Sequence, residues 1–263
     1  MQNIHPTAQI ADGARLADNV TVGAFTVIGP EVVIGEGTSV GSHTLIEGET
    51  VIGKNNRIFS HAVIGSIPQD LKYRGERVRL EIGDDNIIRE FTLINPGTEG
   101  GGALTRIGSG NLLMGYVHVA HDVRIGDGCI LANAATLAGH VELGDHVVIG
   151  GMTPIHQFVH VGDHAMVAGA SALSQDVPPY CLAEGNRAVL RGLNLTGLRR
   201  RLDRQSVDAL KSAYRALFEQ GAPLRETAEE LLERSENPEV ASLCRFILSS
   251  KRGIPFKRNT HAH

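Results

Sequence analysis

The chain lacks tryptophan, and aromatic residues make up only 4% of its 263 residues. An interior must therefore be filled by aliphatic side chains, which the 42% hydrophobic content can supply. Glycine is abundant, at 31 residues. Together with the many Ile and Val residues, it favours short strands joined by tight turns.

Cysteines and long apolar segments are also scarce. Cys129, Cys181 and Cys244 are far apart and form no CxxC motif, which is typical of free thiols in a reducing compartment. The first residues show no signal-peptide pattern, and no apolar run approaches the roughly 18 residues of a membrane span. We therefore expect a cytoplasmic protein without membrane insertion, and no feature predicts a nucleic-acid partner.

Charge is divided unevenly along the chain, although the net charge is only −4. Residues 1–185 contain 10 basic and 20 acidic residues, whereas residues 186–263 contain 15 basic and 9 acidic residues. A basic C-terminal part suits an anionic partner or ligand. A solvated helical surface has the same composition, so the charge alone does not separate the two interpretations.

A period of six residues runs through most of the chain. Ile, Leu or Val recurs every six residues from Ile4 to Ile58, from Ile82 to Ile94 and from Ile107 to Leu173, which makes 25 units. The fifth position of each unit is small. Neither a helix nor a single alternating strand produces this period. It predicts a mostly β solenoid with three units per 18-residue coil and about eight coils in total.

Two segments interrupt the period. Residues 66–81, the first loop, are polar and mostly aperiodic, and residues 100–106, the second loop, are rich in glycine. Insertions in a solenoid become loops on one edge, which is often the binding edge. Residues 1–185 are therefore predicted to form one domain with two loop insertions.

The period ends after Pro178 and Pro179, and residues 186–263 are predicted to form a small α-helical domain. Ser206 can cap a helix over 207–220, and Asn237 followed by Pro238 opens another. A third helix is predicted over 224–235.

Several polar residues fall on one edge of the predicted solenoid. Residues 18 apart lie above one another, so three adjacent coils place these side chains close together, with His118 just before them. They are His121, Asp122, His140, His156 and Gln157, and Gly139 lies directly above His121.

This set suits acyl transfer to a hydroxyl group. A histidine such as His121 is a suitable base near neutral pH, and Asp122 can hold its tautomer. The backbone N–H of Gly139 can donate to a developing oxyanion. No Ser or Cys nucleophile lies in this corner, so a direct transfer is indicated. Zinc binding, as in the gamma-class carbonic anhydrases, and a purely structural role of outward turn residues are the alternatives.

Six motifs carry a resemblance to a known family. They are "HVAHD" (118–122), "LAGH" (137–140), "IHQF" (155–158), "QDLKY" (69–73), "DVPPY" (176–180) and "GLRRR" (197–201). They resemble the motifs of the UDP-N-acetylglucosamine 3-O-acyltransferases, which begin lipid A synthesis. The hexapeptide frame also resembles that of the hexapeptide-repeat acyltransferases, which implies a left-handed parallel β-helix.

The resemblance implies transfer of a (3R)-3-hydroxyacyl group from the phosphopantetheine of acyl carrier protein to the 3-hydroxyl of UDP-N-acetylglucosamine. It implies no bound cofactor or metal, and a homotrimer with its cleft between neighbouring prisms. His121 would be the general base, Asp122 its orienting partner and Gly139 the oxyanion donor.

The resemblance also implies further contacts. Gly169 would form the floor of the acyl pocket, leaving room for a chain near fourteen carbons. The arginines would bind the nucleotide phosphates. The implied substrate-binding residues are Gln69, Asp70, Lys72, His118, His140, His156, Gln157, Asn194, Arg200 and Arg201.

The sequence departs from the family pattern at three places, and two alternative activities stay open. Asn95 and Pro96 stand where His-Arg is common, Thr196 stands where an acidic residue is usual, and the first loop differs in detail. These departures bear on sugar or carrier recognition. The alternatives are acyl transfer to an amine-bearing UDP-sugar and a gamma-type metal-dependent hydratase.

Overall fold

Each hexapeptide unit folds into a short strand and a turn. In Val148–Ile149 the first side chain faces outward and the second is buried, and this alternation recurs along the prism. The small fifth residue is buried in the corner, where Thr26 donates its hydroxyl proton to the Gly41 carbonyl at 2.6 Å. The fourth residue turns the chain with a left-handed backbone, as at Asp122 with a φ of 61°.

These units build a left-handed parallel β-helix in the computed structural model, which describes residues 3–256. Residues 1–2 and 257–263 of the two predicted domains lie outside the described part. The parallel strands form three faces, named here in chain order. The first face contains Asn3–Ile4, Thr21–Val22, Ser39–Val40, Arg57–Ile58, Ile87–Ile88, Leu112–Leu113, Ile130–Leu131, Val148–Ile149 and Met166–Val167. The second face contains Gln9–Ile10, Val27–Ile28, Leu45–Ile46, Val63–Ile64, Leu93–Ile94, His118–Val119, Thr136–Leu137 and Pro154–Ile155. The third face contains Arg15–Leu16, Val33–Ile34, Glu49–Ile52, Arg79–Ile82, Leu104–Ile107, Arg124–Ile125, Glu142–Leu143 and His160–Val161.

The register confirms a coil of 18 residues. Asn3 pairs with Thr21, and His118 pairs with Thr136. The predicted units coincide with strands, with two differences at the ends of runs. Ile64 lies in a strand of the second face and adds a unit, whereas Leu173 makes only an isolated bridge to Ile155.

Both loops leave the prism at the corner between the second and third faces. The first loop ends earlier than residue 81, because Arg79–Ile82 pairs with Glu49–Ile52 and buries Leu80. The second loop occupies residues 96–103, including a 3₁₀ turn at Glu99–Gly101. It ends before the predicted residue 106, because Leu104–Ile107 is a strand of the third face.

The C-terminal part begins with strands. Cys181–Glu184 continues the first face and pairs antiparallel with Val189–Leu193, so β-structure extends past residue 185. Up to residue 256, four helices follow, at Leu195–Leu198, Arg204–Phe218, Leu224–Arg234 and Pro238–Ser249.

The helix caps match the sequence in part. Asn237 caps the last helix by accepting from the Val240 N–H, as predicted. The expectation that Ser206 caps a helix is wrong, because Asp203 precedes it and accepts the Ser206 N–H at 2.8 Å. The described helices include none that is long and apolar enough to cross a membrane.

Candidate active site

A histidine–aspartate pair lies at the corner between the second and third faces. His121 Nδ1 is 2.8 Å from Asp122 Oδ2, the distance of a charge-assisted hydrogen bond. The Asp122 side chain is 1% exposed, and that of His121 is 15% exposed. The buried carboxylate therefore accepts the Nδ1 proton, which leaves Nε2 of His121 free as a proton acceptor.

The second loop holds Asp122 in place, a role that the sequence reasoning did not foresee. The Thr98 N–H donates to Asp122 Oδ1 at 2.8 Å, and the Thr98 hydroxyl donates to Oδ2 at 2.6 Å. The Thr105 hydroxyl oxygen accepts the Asp122 N–H at 2.8 Å. A Cβ at Gly101 would overlap the Asp122 carboxylate, so the loop packs directly on this side chain.

Gly139 lies one coil above His121, as the 18-residue spacing predicts. The His140 N–H donates to the His121 carbonyl at 3.1 Å, which fixes this register. A Cβ at Gly139 would lie 2.5 Å from His121 Cε1 and 2.7 Å from Nε2. Glycine therefore makes room for the imidazole. Within residues 3–256 the Gly139 N–H has no hydrogen-bond acceptor, so it is available to a ligand.

His140 flanks the pair. Its ring meets that of His121 edge to face, with centroids 5.1 Å apart, and stacks on Phe158 at 4.3 Å. Burial lowers the pKa of His140, although the Asp122 carboxylate opposes this shift. A neutral ring at this place can line a cleft without adding a second positive charge beside a base.

A metal ion is the main alternative occupant of this corner. Ligand atoms of His121, Asp122 and His140 lie within 4.8 Å of one another, so the three residues could hold one. Both oxygens of Asp122, however, already accept hydrogen bonds from Thr98. The geometry is that of a hydrogen-bonded pair with an oriented imidazole.

His156, Gln157 and His118 lie around the pair as predicted. The backbone hydrogen bonds between coils place Ala120, Ala138 and His156 above one another. They place Gln157 above Gly139 and His121 in the same way. His118 faces outward from the second face, and burial lowers its pKa.

The first loop reaches the same corner. The charges of Asp70 and Lys72 act on the His140 pKa in opposite directions, Asp70 raising it and Lys72 lowering it, and Gln69 is exposed beside them. Asn95, at a position that departs from the family pattern, donates from Nδ2 to the Ser66 carbonyl at 2.9 Å. Asn95 therefore ties the start of the first loop to the coil that bears the second.

The remaining predicted residues lie on other edges of the same chain. Asn194, Arg200 and Arg201 line a pocket of about 330 Å³ between the third and first faces, the Arg201 pocket. The Asn194 side chain is used locally, because Nδ2 donates to the His164 carbonyl and Oδ1 accepts the Gly197 N–H. Thr196 is exposed in the short helix nearby.

His146 and His164 also line the Arg201 pocket, although the sequence assigned neither of them a functional role. Their rings stack with centroids 5.0 Å apart. They are 18 residues apart, so the 18-residue length of a coil could have identified them as neighbours on one edge. Burial lowers the pKa of His164, and the neighbouring His146 and Arg201 lower it further.

Gly169 lies at the third corner, between the first and second faces. A Cβ there would meet the Gly151 carbonyl oxygen at 3.4 Å, an ordinary contact, so this position tolerates a side chain. The structure thus brings His121, Asp122, Gly139, His140, His156 and Gln157 together, and leaves Asn194, Arg200, Arg201 and Gly169 apart from them within one chain.

A left-handed β-helix of hexapeptide units with an oriented imidazole at one corner is typical of a hexapeptide-repeat acyltransferase. Comparisons with known proteins agree. The model of the bacterial transferase hexapeptide family matches residues 13–48 and 104–139. The model described as "Udp N-acetylglucosamine O-acyltransferase; Domain 2" matches residues 176–255.

Similar proteins cover nearly the whole chain. The acyl-(acyl-carrier-protein)–UDP-N-acetylglucosamine O-acyltransferase of Sulfurovum sp. is 68% identical over 99% of this chain and 100% of its own length. The enzyme of the same name from Sulfurimonas denitrificans is 69% identical over 98% of this chain and 99% of its own length. The UDP-N-acetylglucosamine acyltransferase structure from Campylobacter jejuni has a TM-score of 0.94 at 51% identity, covering 97% of this chain and 100% of the other. This chain belongs to the UDP-N-acetylglucosamine O-acyltransferase family.

Proposed function

We propose that the protein transfers a (3R)-3-hydroxyacyl group from acyl carrier protein to the 3-hydroxyl of UDP-N-acetylglucosamine, with His121 as general base. The observation that carries this proposal is the 2.8 Å contact between His121 Nδ1 and the buried Asp122 carboxylate. It leaves Nε2 able to take the proton of a sugar hydroxyl. The family membership supports the substrate pair.

The reaction proceeds in one transfer without an acyl-enzyme. The sugar 3-oxygen attacks the thioester carbonyl carbon while its proton moves to His121 Nε2. The resulting oxyanion accepts a hydrogen bond from the Gly139 N–H. Collapse breaks the carbon–sulfur bond, and the imidazolium returns its proton to the phosphopantetheine thiolate. The chain's own residues supply the base and the oxyanion donor, so the proposal needs no bound cofactor.

The three faces of the prism differ in a way that supports a homotrimer. Outward side chains of the third face are mostly charged or polar, among them Arg15, Glu81, Arg106, Arg124 and Glu142. Apolar side chains point outward on much of the first and second faces. They are Ile87, Leu112, Ile130, Val148 and Met166 on the first face and Val27, Leu45, Val63 and Leu93 on the second. Two adjoining apolar faces fit packing against two further copies.

The corner between the two apolar faces carries a ladder of stacked rings, Phe25, His43, His61, Phe91 and Tyr116. Phe25 is 58% exposed and Tyr116 is 62% exposed in the single chain. Three prisms that pack first face on second face would direct this corner towards the three-fold axis. The His121 corner of one copy would then lie beside the Arg201 pocket of the next.

This arrangement supports the roles of the residues that one chain keeps apart. His118, His140, His156 and Gln157 would line the sugar and acyl cleft, with Gln69, Asp70 and Lys72 reaching in from the first loop. Asn194, Arg200 and Arg201 of the neighbouring copy would hold the nucleotide, the arginines on its diphosphate. Gly169 would form the floor of the acyl pocket.

The basic C-terminal part suits docking of acyl carrier protein, which is acidic. Two of its arginines, Arg204 and Arg234, are mostly exposed. The three cysteines are buried free thiols. This fits the expected cytoplasmic setting, in which thiols stay reduced.

A transfer assay with the purified protein tests the proposal. Wild type and His121→Ala are compared with UDP-N-acetylglucosamine, with the corresponding 3-amino UDP-sugar and with hydroxyacyl carriers of several lengths. We expect transfer to the hydroxyl acceptor, and a loss of about 10²–10⁴-fold in His121→Ala. Exclusive use of the amine acceptor, or equal rates for the two proteins, would reject it. A strong chelator should leave the rate unchanged, whereas loss restored by zinc would favour the metal-dependent alternative.

A further inference from the structure

We propose that Thr98 is a positioning residue for the reaction, acting on His121 through Asp122. This inference rests on the proposed function, because it assumes that His121 is the base. Thr98 lies in the second loop, 24 positions before Asp122 along the chain. Sequence periodicity gives no reason to pair these residues.

Both donors of Thr98 meet the same carboxylate. Its N–H donates to Oδ1 at 2.8 Å, and its hydroxyl donates to Oδ2 at 2.6 Å. Oδ2 is also the atom that faces His121 Nδ1 at 2.8 Å. One oxygen therefore links the Thr98 hydroxyl directly to the imidazole. A displacement of Oδ2 changes the direction in which the ring points.

Asp122 needs such a partner because of where it lies in the chain. It is the corner residue of its coil, with a left-handed backbone and a φ of 61°. Its carboxylate is buried and carries a charge that must be compensated by hydrogen bonds. The Thr98 donors satisfy both oxygens and leave the second acceptor site of Oδ2 to the histidine.

The second loop holds Thr98 rigidly. Thr98 precedes the 3₁₀ turn, and its carbonyl accepts the N–H groups of Gly101 and Ala103 at 3.0 and 2.8 Å. Gly101 packs so closely on Asp122 that no larger residue fits without a shift. The Thr98 side chain itself is buried, and its hydroxyl proton is donated to Asp122 Oδ2. Its contribution is therefore to orientation and does not include contact with the reacting atoms.

Three substitutions test this role. Thr98→Val removes the hydroxyl but keeps the side-chain shape and the backbone N–H, whereas Thr98→Ser keeps the hydroxyl. Thr26→Val is the matched control, since it removes an equally buried hydroxyl, bonded to the Gly41 carbonyl at 2.6 Å, far along the prism. We expect Thr98→Val to lower kcat about ten-fold to a hundred-fold with KM nearly unchanged, the effect of losing a hydrogen bond to a charged group. Thr98→Ser and Thr26→Val should keep most of the wild-type kcat.

A double-mutant cycle and an NMR signal separate positioning from simple destabilisation. In the Asp122→Ala background, Thr98→Val should have almost no further effect on kcat, because its target is gone. The Nδ1 proton signal of His121, assigned by its absence in His121→Ala, should persist in Thr98→Ser and shift or vanish in Thr98→Val. This signal does not depend on activity, so it tests Thr98 even if the proposed function fails. Equal kcat for wild type and Thr98→Val, full additivity in the cycle or an unchanged Nδ1 signal would overturn the inference.

Discussion

Gly139→Ala tests whether the His121 corner requires a residue without a side chain at position 139. The new Cβ would lie 2.5 Å from His121 Cε1, whereas unstrained carbon contacts begin near 3.4 Å. The imidazole must therefore retreat by about 1 Å. Its retreat is constrained, because Nδ1 is hydrogen-bonded to Asp122, which Thr98 holds in turn, and the His140 ring lies edge-on beside it. The alanine keeps the backbone N–H, so the proposed oxyanion donor is still present.

A displacement of about 1 Å at a reacting group costs about 100-fold in rate, or about 2.7 kcal/mol of transition-state stabilisation. We expect kcat of Gly139→Ala to fall by about this factor in the transfer assay. Overpacking should also cost about 1–3 kcal/mol of folding stability, which thermal unfolding measures. Gly100→Ala is the control, because a Cβ there meets nothing within 4 Å. A folded Gly139→Ala protein with kcat within about three-fold of wild type would refute the reasoning.

Mixed trimers of His121→Ala and Arg201→Ala chains should regain part of the activity that each variant lacks alone, because some sites then combine two intact edges; no recovery after subunit exchange would contradict a shared site. Gly169→Met should fold, since its Cβ meets only ordinary contacts, and should shorten the preferred acyl chain below about fourteen carbons; an unchanged product profile in mass spectrometry would reject its place in the pocket. Burial lowers the pKa of both His118 and His140, so the unfolded chain binds more protons below about pH 6.5 and stability should fall as pH decreases. Thermal unfolding between about pH 7.5 and about pH 5.5 should show a smaller decrease for His118→Gln than for wild type, and an equal decrease would count against the buried histidine as a cause.

The sequence predicts the coils well because one physical constraint repeats. A branched aliphatic residue must fill the interior at each unit, so the register of 18 residues follows directly. That register places Gly139 above His121 and Gln157 above Gly139, as the backbone hydrogen bonds confirm. Side chains remote in sequence can therefore be assigned to one corner without an alignment.

The loops do not obey this rule, and there the prediction is incomplete. Residues 79–81 were assigned to the first loop, although Leu80 is buried in a strand that extends beyond the hexapeptide frame. Thr98 was not identified at all, because its contacts with Asp122 arise from the path of an aperiodic loop. At the helix start, Asp203 and Ser206 are both good caps, and only the backbone path decides between them.

The proposed division of the site among edges has a physical basis. A convex prism exposes each corner to solvent, so no single corner can enclose a substrate and exclude water. The His121 corner carries the His–Asp pair, whereas Arg200 and Arg201 line the Arg201 pocket on another edge. In the proposed trimer, joining the two edges between copies would supply the second wall of the cleft without altering either coil. The proposed base would then lie on one prism and the proposed anion site on its neighbour, so the packing angle between copies would set the distance between the two. Substitutions on the apolar first or second face should therefore change substrate affinity even where they touch neither edge.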